Sequence, residues 1–248
     1  FENMNGCPPL VIHTDGLAGG DTDLSMDESS QYLSGLLLAA PLARRSTRIS
    51  LVGRKAVSWP YVGLTLQVLE DFGIDFTVEV QEDERWKSVP WRSVTKATPG
   101  HLRITVRPGS YRSGDYRVEG DWSGASYLLA AGAAGREPVL VTGLRSDSLQ
   151  GDRAILDILR DMGASVELRS DGILVSPSSL HGITVDMGAC PDLVPTVAMT
   201  AAFASGETRI TNIAHLRIKE CDRLSACATS LSLIGVGTEE GPDYLTIH

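Results

Sequence analysis

"AILDILRDMGASVELR" (residues 154–169) decides how this chain is built. Ile155, Ile158, Leu159 and Met162 follow the i, i+3, i+4, i+7 spacing of one helix face. Gly163 then suits the left-handed position just past a helix end, and a short strand-like run follows. The same grammar recurs in "LTLQVLEDFGIDFTVE" (64–79), with Gly73, and in "ATSLSLIGVGTEEG" (228–241), with Gly235. A second set also occurs three times: "LLLAAPLARRSTRISLVG" (36–53), "LLAAGAAGREPVLVTGL" (128–144) and "MTAAFASGETRITNIA" (199–214). Each runs from a small-residue apolar helix through a polar turn into a β-branched strand, centred on Ser50, Thr142 or Thr211.

Self-similarity of this kind marks a repeated supersecondary unit. The unit is helix, strand, helix, strand, often with one more strand, as in "DGILVSP" (171–177) and "DYLTIH" (243–248). The predicted helix pairs lie near 28–43 and 59–73, 121–134 and 150–163, and 192–205 and 219–235. A polar insertion, "QEDERWKSVPWRSVTKATPG" (81–100), lengthens the first unit. "CPPLVIHTDGLAGGDTDLSM" (7–26) reads as two short strands left from a preceding unit. The stretch 116–127 is the expected crossing between two lobes. The opening "FENMNG" has neither a starting Met nor a basic segment, so no signal peptide is expected, and the chain reads as a piece of something longer.

The chain has 248 residues, 21% charged and 42% hydrophobic, enough to bury a real core. A net charge of −9 argues against a general nucleic-acid or membrane-surface binder. It leaves room for a small anion held by a few local cations. The longest nearly apolar run, "YLSGLLLAAPLA" (32–43), is too short to span a bilayer. Cys7, Cys190, Cys221 and Cys227 show no CxxC spacing and read as reduced thiols, which points to the cytoplasm.

Charge concentrates in "LRIKECDRLSA" (216–226). A helix starting near Lys219 would bury Cys221, Leu224, Ala228 and Leu231 and put Lys219 and Arg223 on one face, i to i+4. Cations are badly placed at a helix N-terminus, which makes sense if an anion sits between them. Alternatively the stretch is an exposed ion-pair face, Lys219 with Asp222 and Glu220 with Arg223. Asp192, in "ACPDLVP", reads as a helix N-cap or as a base. Ser29, Ser30 and Gln31, in "ESSQ", read as an N-cap or as a neutral phosphate cradle. Tyr61, in "SWPY", reads as core or as a site residue beside Ser58.

In order and spacing, "GCPPLVI", "ESSQYLSGLLLAAPLA", "SWPYVGLTL", "VEGDWSGASYLLAA", "SLQGD", "PDLVPTVAMTAAFASGETRITNI" and "LRIKECDRL" resemble the 5-enolpyruvylshikimate-3-phosphate synthase (3-phosphoshikimate 1-carboxyvinyltransferase) family. The resemblance implies an α/β (α+β) enolpyruvyl transferase fold of repeated βαβαββ units in two lobes. Residues 1–118 would be part of one lobe, one unit plus a strand pair, and 119–248 part of the second, two units. It implies transfer of the enolpyruvyl group of phosphoenolpyruvate to the 5-hydroxyl of shikimate 3-phosphate, with release of phosphate through a tetrahedral intermediate. The implied partners are these two small molecules, with no nucleic acid, membrane, cofactor or metal, and the parent enzyme would be a monomer.

The resemblance also implies roles. Ser29, Ser30 and Ser58 would hold the phosphate of shikimate 3-phosphate, with Gln31 reaching toward phosphoenolpyruvate and Tyr61 against the ring. Asp192 would deprotonate the attacking hydroxyl. Glu220 would exchange a proton with the methylene carbon, given a pKa raised toward neutrality. Lys219 would contact shikimate 3-phosphate and the bridging region, and Arg223 the anionic groups of phosphoenolpyruvate. His215 stands where the family often has Asn and could still donate a hydrogen bond. Trp59 replaces a more usual small or basic residue. The Lys-Ser pair, glycine-rich loop and further Arg and Lys residues of the family are absent, so the chain is expected to be an incomplete, inactive piece. Two other readings stay open: a UDP-N-acetylglucosamine enolpyruvyltransferase, whose loop cysteine would lie outside the matched region and which "KECDR" fits less well, and a non-catalytic α/β repeat module. An RNA 3′-phosphate cyclase is disfavoured by the acidic balance.

Overall fold

The computed structural model describes residues 7–248. The reading of "FENMNG" concerns residues 1–6 and lies outside the described residues.

The first unit runs β1 (Gly20–Met26), α1 (Gln31–Ala39), β2 (Thr47–Ala56), α2 (Trp59–Asp71), β3 (Phe76–Glu82), β4 (Arg85–Val89) and β5 (Leu102–Val106). The second runs α3 (Trp122–Ala134), β6 (Val139–Val141), α4 (Ile155–Asp161), β7 (Ser165–Leu168) and β8 (Ile173–Ser176). The third runs β9 (Thr184–Asp186), α5 (Val194–Ala201), β10 (Thr208–Thr211), α6 (Arg223–Leu233), β11 (Thr238–Glu240) and β12 (Leu245–Ile247).

The units share one sheet order. In each, the last strand lies between the other two, giving β2-β5-β3, β6-β8-β7 and β10-β12-β11, all antiparallel. In the first and third units a leading strand adds in parallel at the edge, β1 on β2 and β9 on β10, with a helix as the crossover. The second unit has no counterpart among the described residues. β4, from the polar insertion, closes a hairpin onto β3.

This corrects the reading of residues 7–26. They contain one strand, not two, and it belongs to the first unit, because α1 brings it back alongside β2.

The three glycines end their helices identically. Gly73 (φ +74), Gly163 (φ +93) and Gly235 (φ +86) each sit one residue past the helix cap. Their N–H groups donate to Glu70, Arg160 and Ser232, and the next residues, Ile74, Ala164 and Val236, donate to Leu69, Leu159 and Leu231. That pair of bonds is the Schellman arrangement. A Cβ at Gly235 would meet nothing within 4 Å, whereas one at Gly163 would lie 2.9 Å from the His181 ring. Gly235→Ala is therefore expected to cost about 1–2 kcal/mol through the left-handed backbone alone. Gly163→Ala should cost more. Urea unfolding of the two variants checks the order, and equal losses would contradict it.

Two hydrophobic clusters hold the elements. Ile49, Leu51, Val78 and Ile104 pack with Leu33, Leu37 and Leu66 of α1 and α2. Trp122, Leu129, Ile155, Leu159, Val197, Ile210, Leu224 and Leu231 centre the other, which spans the second and third units. Trp59 is buried and donates from Nε1 to the Val94 carbonyl at 2.7 Å. It anchors the insertion and does not enter the neighbouring site.

Candidate functional site

Between the two clusters lies a cavity of ≈ 650 Å³. Four separated segments build it: the start of α1, the start of α2, the 3₁₀ turn Pro191–Leu193 ahead of α5, and the link into α6. Every predicted site residue except His215 lines it: Ser29, Ser30, Gln31, Ser58, Tyr61, Asp192, Lys219, Glu220 and Arg223.

At α1, Ser29 Oγ accepts from the Gln31 N–H at 3.2 Å, and Ser30 occupies the cap position without a side-chain cap bond. Ser29, Ser30 and Gln31 all line the cavity at this helix start. At α2, Ser58 is buried in the left-handed region (φ 55), and its N–H points across to the Gly188 carbonyl at 3.4 Å.

Arg223 is the centre of the charge arrangement. Its Nε and Nη2 donate to both oxygens of Glu220 at 2.7 and 2.9 Å, and Nη1 donates to Asp192 Oδ1 at 2.6 Å. Tyr61 donates to the other Asp192 oxygen at 3.2 Å, so one carboxylate of the second cluster is held by a phenol of the first. Burial, then the nearby Asp152 and Asp192 charges, push the Tyr61 pKa well above its ordinary value, so the phenol stays a donor. Asp192 lies inside the 3₁₀ turn and gives its oxygens to Arg223 and Tyr61; Cys190 and Leu193 hold the cap positions without side-chain cap bonds, which removes the N-cap reading.

The helix start differs from expectation. α6 begins at Arg223, because the Asp222 carboxylate caps it, accepting from the Ser225 N–H at 3.0 Å. Lys219 ends a 3₁₀ turn, Ala214–Ile218, in extended conformation, so Lys219 and Arg223 are not one helical turn apart. Leu224, Ala228 and Leu231 form the buried stripe, but Cys221 precedes the helix and is exposed. Asp222 pairs with Arg217 at 2.8 Å and not with Lys219. The cation at the helix start is balanced by two protein carboxylates.

Glu220 also departs from expectation. Its pKa is lowered, first by the hydrogen bonds from Arg223, so this geometry keeps it ionised. His215 is buried and outside the cavity lining, with neither ring nitrogen hydrogen-bonded among the described residues. Burial, then the Lys55 and Lys219 charges, hold its pKa down to about 4.

Sequence reasoning missed Asp152. It is 1% exposed and accepts from Ser123 Oγ across the second unit. Burial raises its pKa, and the Asp192 charge adds to that rise. The available signal was an Asp in the otherwise apolar helix face of "QGDRAILDIL". Ser34 and Thr65, joined at 2.8 Å on the cavity wall, left no such signal. Cys190 is buried and its thiol is pushed up to about 12, so it is inert. Among the described residues there is no cluster of His, Cys, Asp and Glu able to hold a metal ion. No described helix is long and apolar enough to cross a membrane.

A family model described as EPSP synthase (3-phosphoshikimate 1-carboxyvinyltransferase) matches residues 1–248. The 3-phosphoshikimate 1-carboxyvinyltransferase of Methanococcoides burtonii is 43% identical over 245 residues, 98% of this chain and 53% of its own length. That of Shewanella denitrificans is 42% identical over 249 residues, 100% of this chain and 53% of its own. The chain thus spans about half the length of the curated relatives it matches. Among solved structures, an EPSP synthase from Acinetobacter baumannii superposes with a TM-score of 0.67 at 26% identity, covering 94% of this chain and 49% of that one. The enolpyruvyl transferase NikO from Streptomyces tendae shares the fold, with a TM-score of 0.60 at 18% identity, over 91% of this chain and 50% of that one.

Proposed function

Since this chain belongs to the EPSP synthase family, we propose that it supplies half of a site that moves the enolpyruvyl group of phosphoenolpyruvate onto the 5-hydroxyl of shikimate 3-phosphate, releasing phosphate. The observation that carries this reading is the convergence of Ser29, Ser30, Gln31, Ser58, Tyr61, Asp192, Lys219, Glu220 and Arg223 on one cavity from four distant segments. In this reading residues 1–118 and 119–248 are parts of two lobes, and the cavity lies between them. The parent enzyme is a cytoplasmic monomer that takes no nucleic acid.

The serine hydroxyls and the free N–H groups of α1 receive the phosphate of shikimate 3-phosphate. Tyr61 lies along the ring. Asp192 takes the proton of the attacking hydroxyl. Phosphoenolpyruvate brings its own carboxylate and phosphate to Arg223, in exchange for Glu220. Glu220, relieved of the guanidinium, rises in pKa and takes up a proton from solvent; as the acid it protonates the methylene carbon, and as the resulting carboxylate it later recovers a proton from that carbon. Lys219, on its extended link, offsets charge on the oxygens of the tetrahedral intermediate.

This half carries few of the cations that two multiply charged anions need when brought together. A phosphate-release assay on the 248-residue chain with both substrates is expected to show no turnover. Calorimetry with shikimate 3-phosphate alone is expected to show weak binding that Ser30→Ala reduces further. Turnover at an intact enzyme's rate, or binding indifferent to Ser30, would overturn the assignment.

A further inference from the structure

Ser58 lines a second cavity, of ≈ 640 Å³, which shares no other residue with the first. Its walls are the end of β2, the loop 95–99, and the turns that follow β9 and β10. Apart from the shared Ser58, nothing in the proposed enolpyruvyl transfer uses it.

Three cations line it: Arg54, Lys55 and Lys96. Arg54 makes a 3.6 Å pair with Asp27. Lys55 and Lys96 have no ion pair or side-chain hydrogen bond among the described residues. The cavity's carboxylate, Asp186, is occupied by its own turn, accepting from the Gly188 N–H at 2.9 Å and the Asn212 amide at 3.1 Å. Neither lysine makes an ion pair with Asp186, so the lining carries more positive than negative charge, in a chain of net charge −9.

The backbone supplies an independent observation. Outside the tight turn at Asp83 and Glu84, the described non-glycine residues with positive φ are Ser58 (φ 55) and Asn212 (φ 60). Both line this cavity, on facing halves of the fold. Left-handed non-glycine residues persist where the surroundings over-determine them, and they gather at ligand clamps.

The geometry points to a second anion site here, taking a small phosphate dianion, free or as a monoester, between Lys55, Lys96 and the Asn212 turn. An anion so held touches both halves of the fold and shares the Ser58 wall with the first cavity. It is a local positive pocket, too small to serve as a nucleic-acid stripe. The inference stands apart from the enolpyruvyl transfer reading.

The test is amide NMR of the 248-residue chain titrated with inorganic phosphate, then with glycerol 3-phosphate. The Asn212 and Thr98 amides are expected to shift saturably. Lys55→Gln with Lys96→Gln should weaken that response about tenfold or more, as loss of a charge-assisted hydrogen bond does. Lys96→Gln alone, at an exposed position, should weaken it by a smaller factor and covers any folding defect of the double variant. Ser30→Ala should instead weaken only the response at Ser29 and Gln31, so failure of the first site is read separately. Tighter binding of the ester would identify a phosphorylated metabolite as occupant, and equal binding would identify phosphate itself. Shifts confined to Ser29–Gln31, or an Asn212 response untouched by both lysine variants, would overturn the proposal.

Discussion

Glu220→Gln is expected to cut turnover about 10²–10⁴-fold, the usual contribution of a general acid–base group. The experiment joins these 248 residues to the flanking segments of the Shewanella denitrificans relative and compares steady-state rates. The amide keeps the shape of the side chain but cannot exchange a proton with carbon. Affinity for shikimate 3-phosphate should stay within a few-fold, because the serine cradle at α1 and α2 is separate from Glu220. The geometry sharpens the expectation: Arg223 grips both Glu220 oxygens and keeps the group ionised. Only a ligand that takes over the guanidinium can restore its basicity. Turnover within a factor of two of the parent would remove Glu220 from the chemistry.

Acid should destabilise the fold through His215. Its folded pKa lies near 4 against an ordinary 6.5, so the unfolded chain binds a proton that the fold excludes. The contribution is fully present above pH 6.5 and is lost as pH falls through the window toward 4. A shift of this size is worth about 3 kcal/mol. Asp152 acts in the opposite sense, because burial raises its pKa and the fold binds its proton more readily than the unfolded chain. The measurement is therefore a difference: urea unfolding at several pH values for the parent and for His215→Asn. The variant should lose less stability between pH 6.5 and 4 than the parent. Parallel curves would show that the imidazole is already solvated.

The repeat was legible because its signals are local. A helix face, a glycine and a β-branched run lie within sixteen residues of each other, and the same Schellman bonds close all three. The candidate site residues stood out as types, hydroxyls at one helix start and mixed charges near another, but those types alone left cap and ion-pair readings open, and the roles came from the family resemblance. Their partners were not legible. The Arg223–Asp192 bond joins residues 31 apart, and the Tyr61–Asp192 bond residues 131 apart. The start of α6 failed for a local reason: Asp222 caps better than any residue near Lys219, and one turn's shift changed which side chains share a face. β1 failed for a non-local one, since only the crossover through α1 decides which strand it joins.

The missing leading strand of the second unit leaves β6 with one bare flank. Among the described residues, Val139–Val141 pairs with β8 on one side and with nothing on the other. Such an edge offers unpaired N–H and C=O groups to any extended segment that drifts past, including the same edge of another molecule. Here Leu140 stands 40% exposed beside it, so a visiting strand would also gain apolar contact. The edge is three residues long, which limits each encounter to a few bonds. Storage at high concentration thus turns a detail of topology into a question of shelf life.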